Sequence, residues 1–155
     1  MLETQRIADQ LRRLYDGPSW LGPSVREIVS DITAERAAFP PANGCHTIWE
    51  LVLHITATLR LARERLSART IRDHTMEESW PVVSDAWPEV LAELEAETLA
   101  IEEAIRSFPA ERLDERAPAT EPQTFYILLH GAIQHTAYHA GQIALLKKES
   151  TGRPI

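Results

Sequence analysis

The sequence predicts an all-α protein organised as a bundle of four substantial helices. Apolar residues recur at steps of three and four through four long stretches. No segment of four or more residues alternates apolar and polar side chains as a half-buried strand would. Helices this long, each with one apolar stripe, must bury those stripes against one another. At 155 residues the chain is expected to form one domain, 1–155. A domain of that size can bury roughly 70% of the surface its unfolded chain exposes, so it folds without disulfide or zinc staples.

The first stretch, Leu2 to Tyr15, carries Ile7, Leu11 and Leu14 on one helical face. Asp16 to Ser24, DGPSWLGPS, stops it with two Gly-Pro pairs. Ser24 can then cap a second, short helix with Val25, Ile28, Val29 and Ile32, and Glu27 stands where a capping-box partner belongs. Pro40, Pro41, Asn43 and Gly44 make a break. A long helix is predicted from His46 to about Ala68. Its buried stripe is Ile48, Leu51, Val52, Ile55, Leu59, Ala62 and Leu66, with Arg60, Arg63 and Arg65 mostly facing solvent. Thr70 to Ser84 is a long link with few helix signals.

Asp85 to Phe108 is the clearest amphipathic helix, with Trp87, Leu91, Leu94, Thr98, Ile101, Ile105 and Phe108 on one face. Glu89, Glu93, Glu95, Glu97, Glu102 and Glu103 occupy other faces and are read as a solvated surface. Pro109 ends this helix, and Pro118 and Pro122 hold the next link extended. The last helix is predicted over Gln123 to Glu149, with a stripe of Phe125, Leu128, Leu129, Ala132, His135, His139, Ile143 and Leu146.

Charge narrows the partners. The net charge is -7, and no Lys/Arg cluster is present, which disfavours nucleic acid and anionic membrane surfaces. Lys147 and Lys148 are better read as complementing a helix C-terminus. Cys45 is the single cysteine, so no intramolecular disulfide can form; it reads as a small space-filler near a helix start, with a thiol of lowered pKa at that position as the alternative. The opening MLETQRIADQ has no apolar core of a secretory signal. No apolar run approaches the ~20 residues that span a bilayer. A reducing, cytoplasmic setting is the expectation.

The anomaly lies in the last helix. His135 and His139 are four residues apart, on one face, where the repeat calls for core hydrophobes. A buried polar group without a partner costs about 1–3 kcal/mol, and a metal ion would satisfy both rings. Thr136 follows His135, so this is not the H-E-x-x-H zinc-protease motif, and the general base of that motif is missing. His54 sits on the edge of the buried stripe of the long central helix, three residues after Leu51. In a bundle it can face the pair. Three neutral imidazoles from two helices make a metal site with open positions and an uncompensated double charge. Such an ion would acidify a bound water or thiol, or polarise a carbonyl.

Glu50 lies one turn before His54 and is a candidate acid/base, with an exposed helix glutamate as the alternative. His46, near the helix start, reads as a cap-region or surface residue. His130 points about 140° away from His135 and is left out of the ligand set. His74 has no assigned role, and Gln142 extends the face of the His pair. Trp20, Trp80 and Trp87 lie in or beside links and Trp49 begins the helix of His54; they wall a pocket or simply pack the core.

Two blocks, HTIWELVLHITATL (His46 to Leu59) and LLHGAIQHTAYHAGQIALLKK (Leu128 to Lys148), resemble the DinB superfamily, also called DinB/YfiT-like. The opening LRRLYDGPSWLGPS and the linker FPAERLDE extend the likeness over nearly the whole chain. The resemblance implies a four-helix bundle of up-up-down-down type, with a short extra helix near the N-terminus, and a homodimer. It implies one divalent metal ion, nickel, zinc or similar, held by His54 and by the pair His135 and His139. Characterised members are thiol-dependent transferases or isomerases using low-molecular-weight thiols such as mycothiol or bacillithiol. The family pattern often has an acidic residue where this chain has Thr136, which removes any acid/base role from that position.

Three function classes follow. The first is a metal-dependent enzyme, a thiol S-transferase or hydrolase acting on a small molecule, with His54, His135 and His139 as ligands. The second is a non-catalytic metal- or small-molecule-binding bundle, a stress-linked partner protein. The third is a structural dimer whose core histidines satisfy one another without metal.

Overall fold

The computed structural model describes residues 1–42, 44–68 and 73–149. Asn43 of the predicted break, Thr70 of the predicted link and the end of the predicted domain lie outside the described residues. Four long helices form: α1 (Glu3–Asp16), α4 (Ile48–Ser67), α6 (Trp87–Ser107) and α7 (Phe125–Glu149). Between them stand the short α2 (Val25–Val29), α3 (Ala34–Ala37) and α5 (Met76–Ser79), and a 3-10 turn at Ala110–Arg112. Among the described residues there is no strand, and no helix is long and apolar enough to cross a membrane.

Local chemistry sets the helix starts. Ser24, Thr47 and Thr75 each accept a hydrogen bond from the backbone N–H three residues on, and Glu27, Glu50 and Glu78 reach back to close capping boxes. Those bonds satisfy N–H groups that the first helical turn leaves without partners. Most of the predicted stripe residues are buried, although Leu91, His135 and Leu146 are only half-buried and Val90 and Ala140, outside the predicted stripes, are buried. Ile7, Leu11 and Leu14 of α1 meet Ile48, Val52, Ile55 and Leu59 of α4, Leu94, Ile101 and Ile105 of α6, and Leu129 and Ile143 of α7 in one core. Each such side chain contributes roughly 1.5–3 kcal/mol when fully buried.

The bundle is the predicted one, but its helix directions are not up-up-down-down. Trp49 at the start of α4 packs on Trp87 at the start of α6, ring centroids 5.3 Å apart. Further along, Arg60 pairs with Glu93 and Arg63 with Glu97, so α4 and α6 run parallel. The long 68–86 connection makes this possible, because it can retrace the whole length of α4. The first turns of α4 meet the last turns of α7, around Leu51, Gln142 and Leu146, so those two are antiparallel. The last turn of α1 reaches the level of Glu95 in α6 through Arg26 and stands beside Ile133 and Ala137 of α7. The first half of α1 is equally buried, with Thr4 and Ala8 at 0% exposure. Because α1 packs chiefly on α6, that buried half lies along the second half of α6, antiparallel to it. The order is down-up-up-down.

Two surface readings also change. Arg65 is buried and pairs with Asp73. Glu97, read as solvated, is only 7% exposed. Its carboxylate accepts from Arg63 at 2.5 and 3.1 Å and lies 3.4 Å from Arg60. Parallel packing of α4 on α6 covers this carboxylate and supplies its partners. At the far end of the core the indole N–H of Trp87 donates to the Ile32 carbonyl at 2.7 Å, tying α6 to the segment after α2. Lys147 of α7 donates to the Ile28 carbonyl at 2.9 Å and pairs with Asp31. These bonds seat the last turns of α7 against the N-terminal segment.

A candidate metal centre between α4 and α7

His54, His135 and His139 are brought together as predicted. His54 Nε2 lies 3.0 Å from His135 Nε2, and His139 Nε2 lies 3.1 Å from His135 Nε2. One ring nitrogen from each falls within 4.8 Å of the others, and no carboxylate or thiolate joins the group among the described residues. Antiparallel packing explains the meeting. His54 stands in the second turn of α4, level with the middle turns of α7, and the i, i+4 spacing of His135 and His139 aims both rings at it.

The other ring nitrogens fix the tautomers. His54 Nδ1 is 2.5 Å from the Ser79 carbonyl oxygen, which can only accept, so Nδ1–H donates and Nε2 carries a lone pair. His139 Nδ1 donates in the same way to Gln142 Oε1 at 2.6 Å. The Gln142 amide nitrogen in turn donates to the Tyr138 hydroxyl at 3.3 Å. His135 Nε2 thus faces two lone pairs and has one bonding position. Its own Nδ1 is buried without a partner. No single proton satisfies all three nitrogens, whereas a cation accepts from all three. Two nitrogens each ~2.1 Å from one ion stand ~3.0 to ~3.4 Å apart between right-angled and tetrahedral arrangements. The separations of His54 and His139 from His135, 3.0 and 3.1 Å, sit at the lower end of that range, and with all three nitrogens within 4.8 Å of one another the donor set fits a divalent ion.

Electrostatics keep these rings neutral, as metal ligands must be. Burial pushes His135 down to about 4 from an ordinary 6.5, helped by the neighbouring His139 and His54. Burial also lowers His54, opposed by the bond to Ser79, and lowers His139, opposed by Gln142.

Trp80 closes one side. Its ring stacks on His54 at 3.8 Å between centroids with 1° between planes, and His46 stacks at 3.6 Å. The sequence left Trp80 between wall and core filler; it is the wall. Trp49 and Trp87 pack in the core, and Trp20 is exposed. The piece missed was α5, which delivers both the Ser79 carbonyl and Trp80. Its signal was present as Thr75 followed by Glu78, a capping-box pair inside the stretch taken for plain link.

The candidate acid/base Glu50 is turned elsewhere. Its Oε2 accepts from the Thr47 backbone N–H at 2.7 Å and from the Thr47 hydroxyl at 3.0 Å, with His46 Nδ1 at 3.6 Å. It caps α4 and is absent from the imidazole cluster. His130 lies against Tyr126, outside the cluster as predicted. His74 is not part of it either. Thr136 is buried and its hydroxyl bonds back to the Ala132 carbonyl at 2.9 Å. A cleft of about 690 Å³, lined among others by Gln142, Trp80 and the exposed Cys45, reaches the cluster at His139.

Comparison with known proteins adds to this geometry. The family model of the DinB superfamily matches residues 22–143. A solved structure of a conserved protein from Enterococcus faecalis superposes with a TM-score of 0.74 at 19% identity, covering 99% of each chain. At that identity the likeness speaks for the fold. No curated protein matches the sequence.

Proposed function

This chain belongs to the DinB superfamily, and from that premise we propose that it holds one divalent metal ion through His54, His135 and His139 and acts as a metal-dependent enzyme on a small molecule, as a thiol S-transferase or a hydrolase. One observation carries the proposal: three ring nitrogens converge, and a backbone and an amide oxygen hold the outer N–H groups of two of the rings, His54 and His139, so that their lone pairs face inward. When bound, such an ion lowers the pKa of a thiol or a water that coordinates it. With no carboxylate among the three ligands, its double charge is available for that purpose.

The chain's own residues then divide the remaining work. Ser79 and Gln142 hold His54 and His139 in the ligating tautomer. Trp80 covers the flat face of His54 and keeps water from that side. His139 and Gln142 line the cleft, so a small molecule entering it arrives at the open side of the cluster.

The test is metal content of protein purified without chelator, together with turnover of mycothiol, bacillithiol and glutathione conjugates, for wild type and His139→Ala. About one equivalent of nickel, zinc or a similar ion per chain is expected in the wild type. The variant should lose the metal and any activity yet keep its helical content, because the apolar stripes do not depend on the ion. Wild-type protein with less than about 0.2 equivalents, and a melting temperature unmoved by added zinc or nickel, would refute the proposal.

A further inference from the structure

The cleft beside the imidazoles has a chemistry of its own. Leu51, Leu145 and Leu146 supply apolar wall, and Trp80 and Tyr138 supply aromatic rings. Apart from the imidazoles, Cys45 and the Tyr138 phenol, which is neutral near pH 7, the ionisable group among its described lining residues is Glu149, an acid. Among the described residues neither lysine nor arginine lines it. An anionic group on the far part of a ligand body, away from the metal end, would leave water to face leucine side chains and a carboxylate, with no cationic side chain among the described lining residues to offset its desolvation. A flat apolar body would instead cover leucine and ring surface already shaped to take it.

We infer that the natural small-molecule substrate carries one metal-seeking donor atom on an apolar, aromatic-type body free of anionic groups. The donor lies toward His139 and the body along Leu145, Leu146 and Tyr138. The inference rests on the metal reading above for the donor end and on the cleft alone for the body. It sets acidic thiols, with their carboxylates, among the poor ligands.

A matched pair of probes tests it. Benzyl mercaptan and 4-(mercaptomethyl)benzoate differ by one carboxylate. Each is titrated into zinc-loaded protein near neutral pH, followed by tryptophan fluorescence, since Trp80 lines the cleft, and by calorimetry. The neutral thiol should bind about tenfold tighter or more. Leu145 is half exposed, so Leu145→Arg introduces a guanidinium at the wall without disturbing the core. It should erase or invert the preference while zinc content stays unchanged.

Equal or tighter binding of the carboxylate by the wild type would overturn the inference. So would a preference that Leu145→Arg leaves untouched, or failure of both thiols to bind fully zinc-loaded protein; in each case the metal site itself would stand. If the protein takes up no zinc, the metal reading fails separately. The cleft is then judged on the metal-free protein with benzyl alcohol and 4-(hydroxymethyl)benzoate, where a missing preference for the neutral probe overturns the inference and a clear one sustains its account of the body.

Discussion

His135 offers a direct measure of what it costs to keep an imidazole neutral inside this bundle. In the unfolded chain its ring takes up a proton near the ordinary 6.5; in the folded one it does so only near about 4, chiefly because burial disfavours the charge. Between those values the unfolded state binds a proton that the native state refuses. Stability from this group is therefore intact above pH 6.5 and drains away as pH falls toward 4. Linkage puts the loss at about 2.5 kcal/mol between pH 7.5 and pH 4.5, trimmed to about 2 for the incomplete burial of the ring. Replacing His135 by Gln removes the titration while keeping a polar side chain. Urea unfolding of both proteins in the presence of chelator, at the two pH values, isolates the term, because the carboxylates titrate alike in both. The wild type should lose about 2 kcal/mol more than His135→Gln over this range. Parallel pH profiles would show that the ring is hydrated or charged in the native state, and the lone-pair account of the cluster would fall with it.

Other substitutions separate the roles of neighbouring groups. Gln142→Leu removes the acceptor on His139 Nδ1 and should weaken zinc binding about tenfold in a competition assay with a coloured chelator, leaving the melting temperature of the metal-free protein nearly unchanged. Glu50→Ala should cost about 1 kcal/mol in chemical unfolding through loss of the α4 capping box, with full metal content retained; loss of metal would restore Glu50 to the site. Glu97→Ala strips the buried carboxylate from Arg60 and Arg63 and should destabilise by about 2 kcal/mol, less than a fully buried pair because both guanidiniums reach water. A change below about 0.5 kcal/mol there would mean that water replaces the carboxylate at no cost.

Much of the molecule was legible in the chain itself. The period of apolar residues located all four long helices and their buried faces, and Ser24 with Glu27 announced the start of α2. Two histidines standing where α7 should have placed hydrophobes marked the site, and His54 followed from its seat at the edge of the α4 stripe. These are local properties. A helix has a fixed pitch, so sequence spacing translates directly into direction around its axis, and a polar group on the buried side announces itself.

The tertiary structure decided what spacing cannot express. Helix directions depend on how a long connection retraces the bundle, and two orders with the same stripes bury the same apolar surface. The parallel pairing of α4 with α6 in turn buried Glu97 and gave it two arginines. Glu50 shares a face with His54 in the sequence, yet the nearer N–H and hydroxyl of Thr47 took its carboxylate. Trp80 and the Ser79 carbonyl reach His54 across 25 residues of chain. Which side chains share a helical face is written in the residue order, because the helix repeats at short range. Which faces meet is settled only when the whole chain packs, because that choice rests on contacts between residues far apart in sequence.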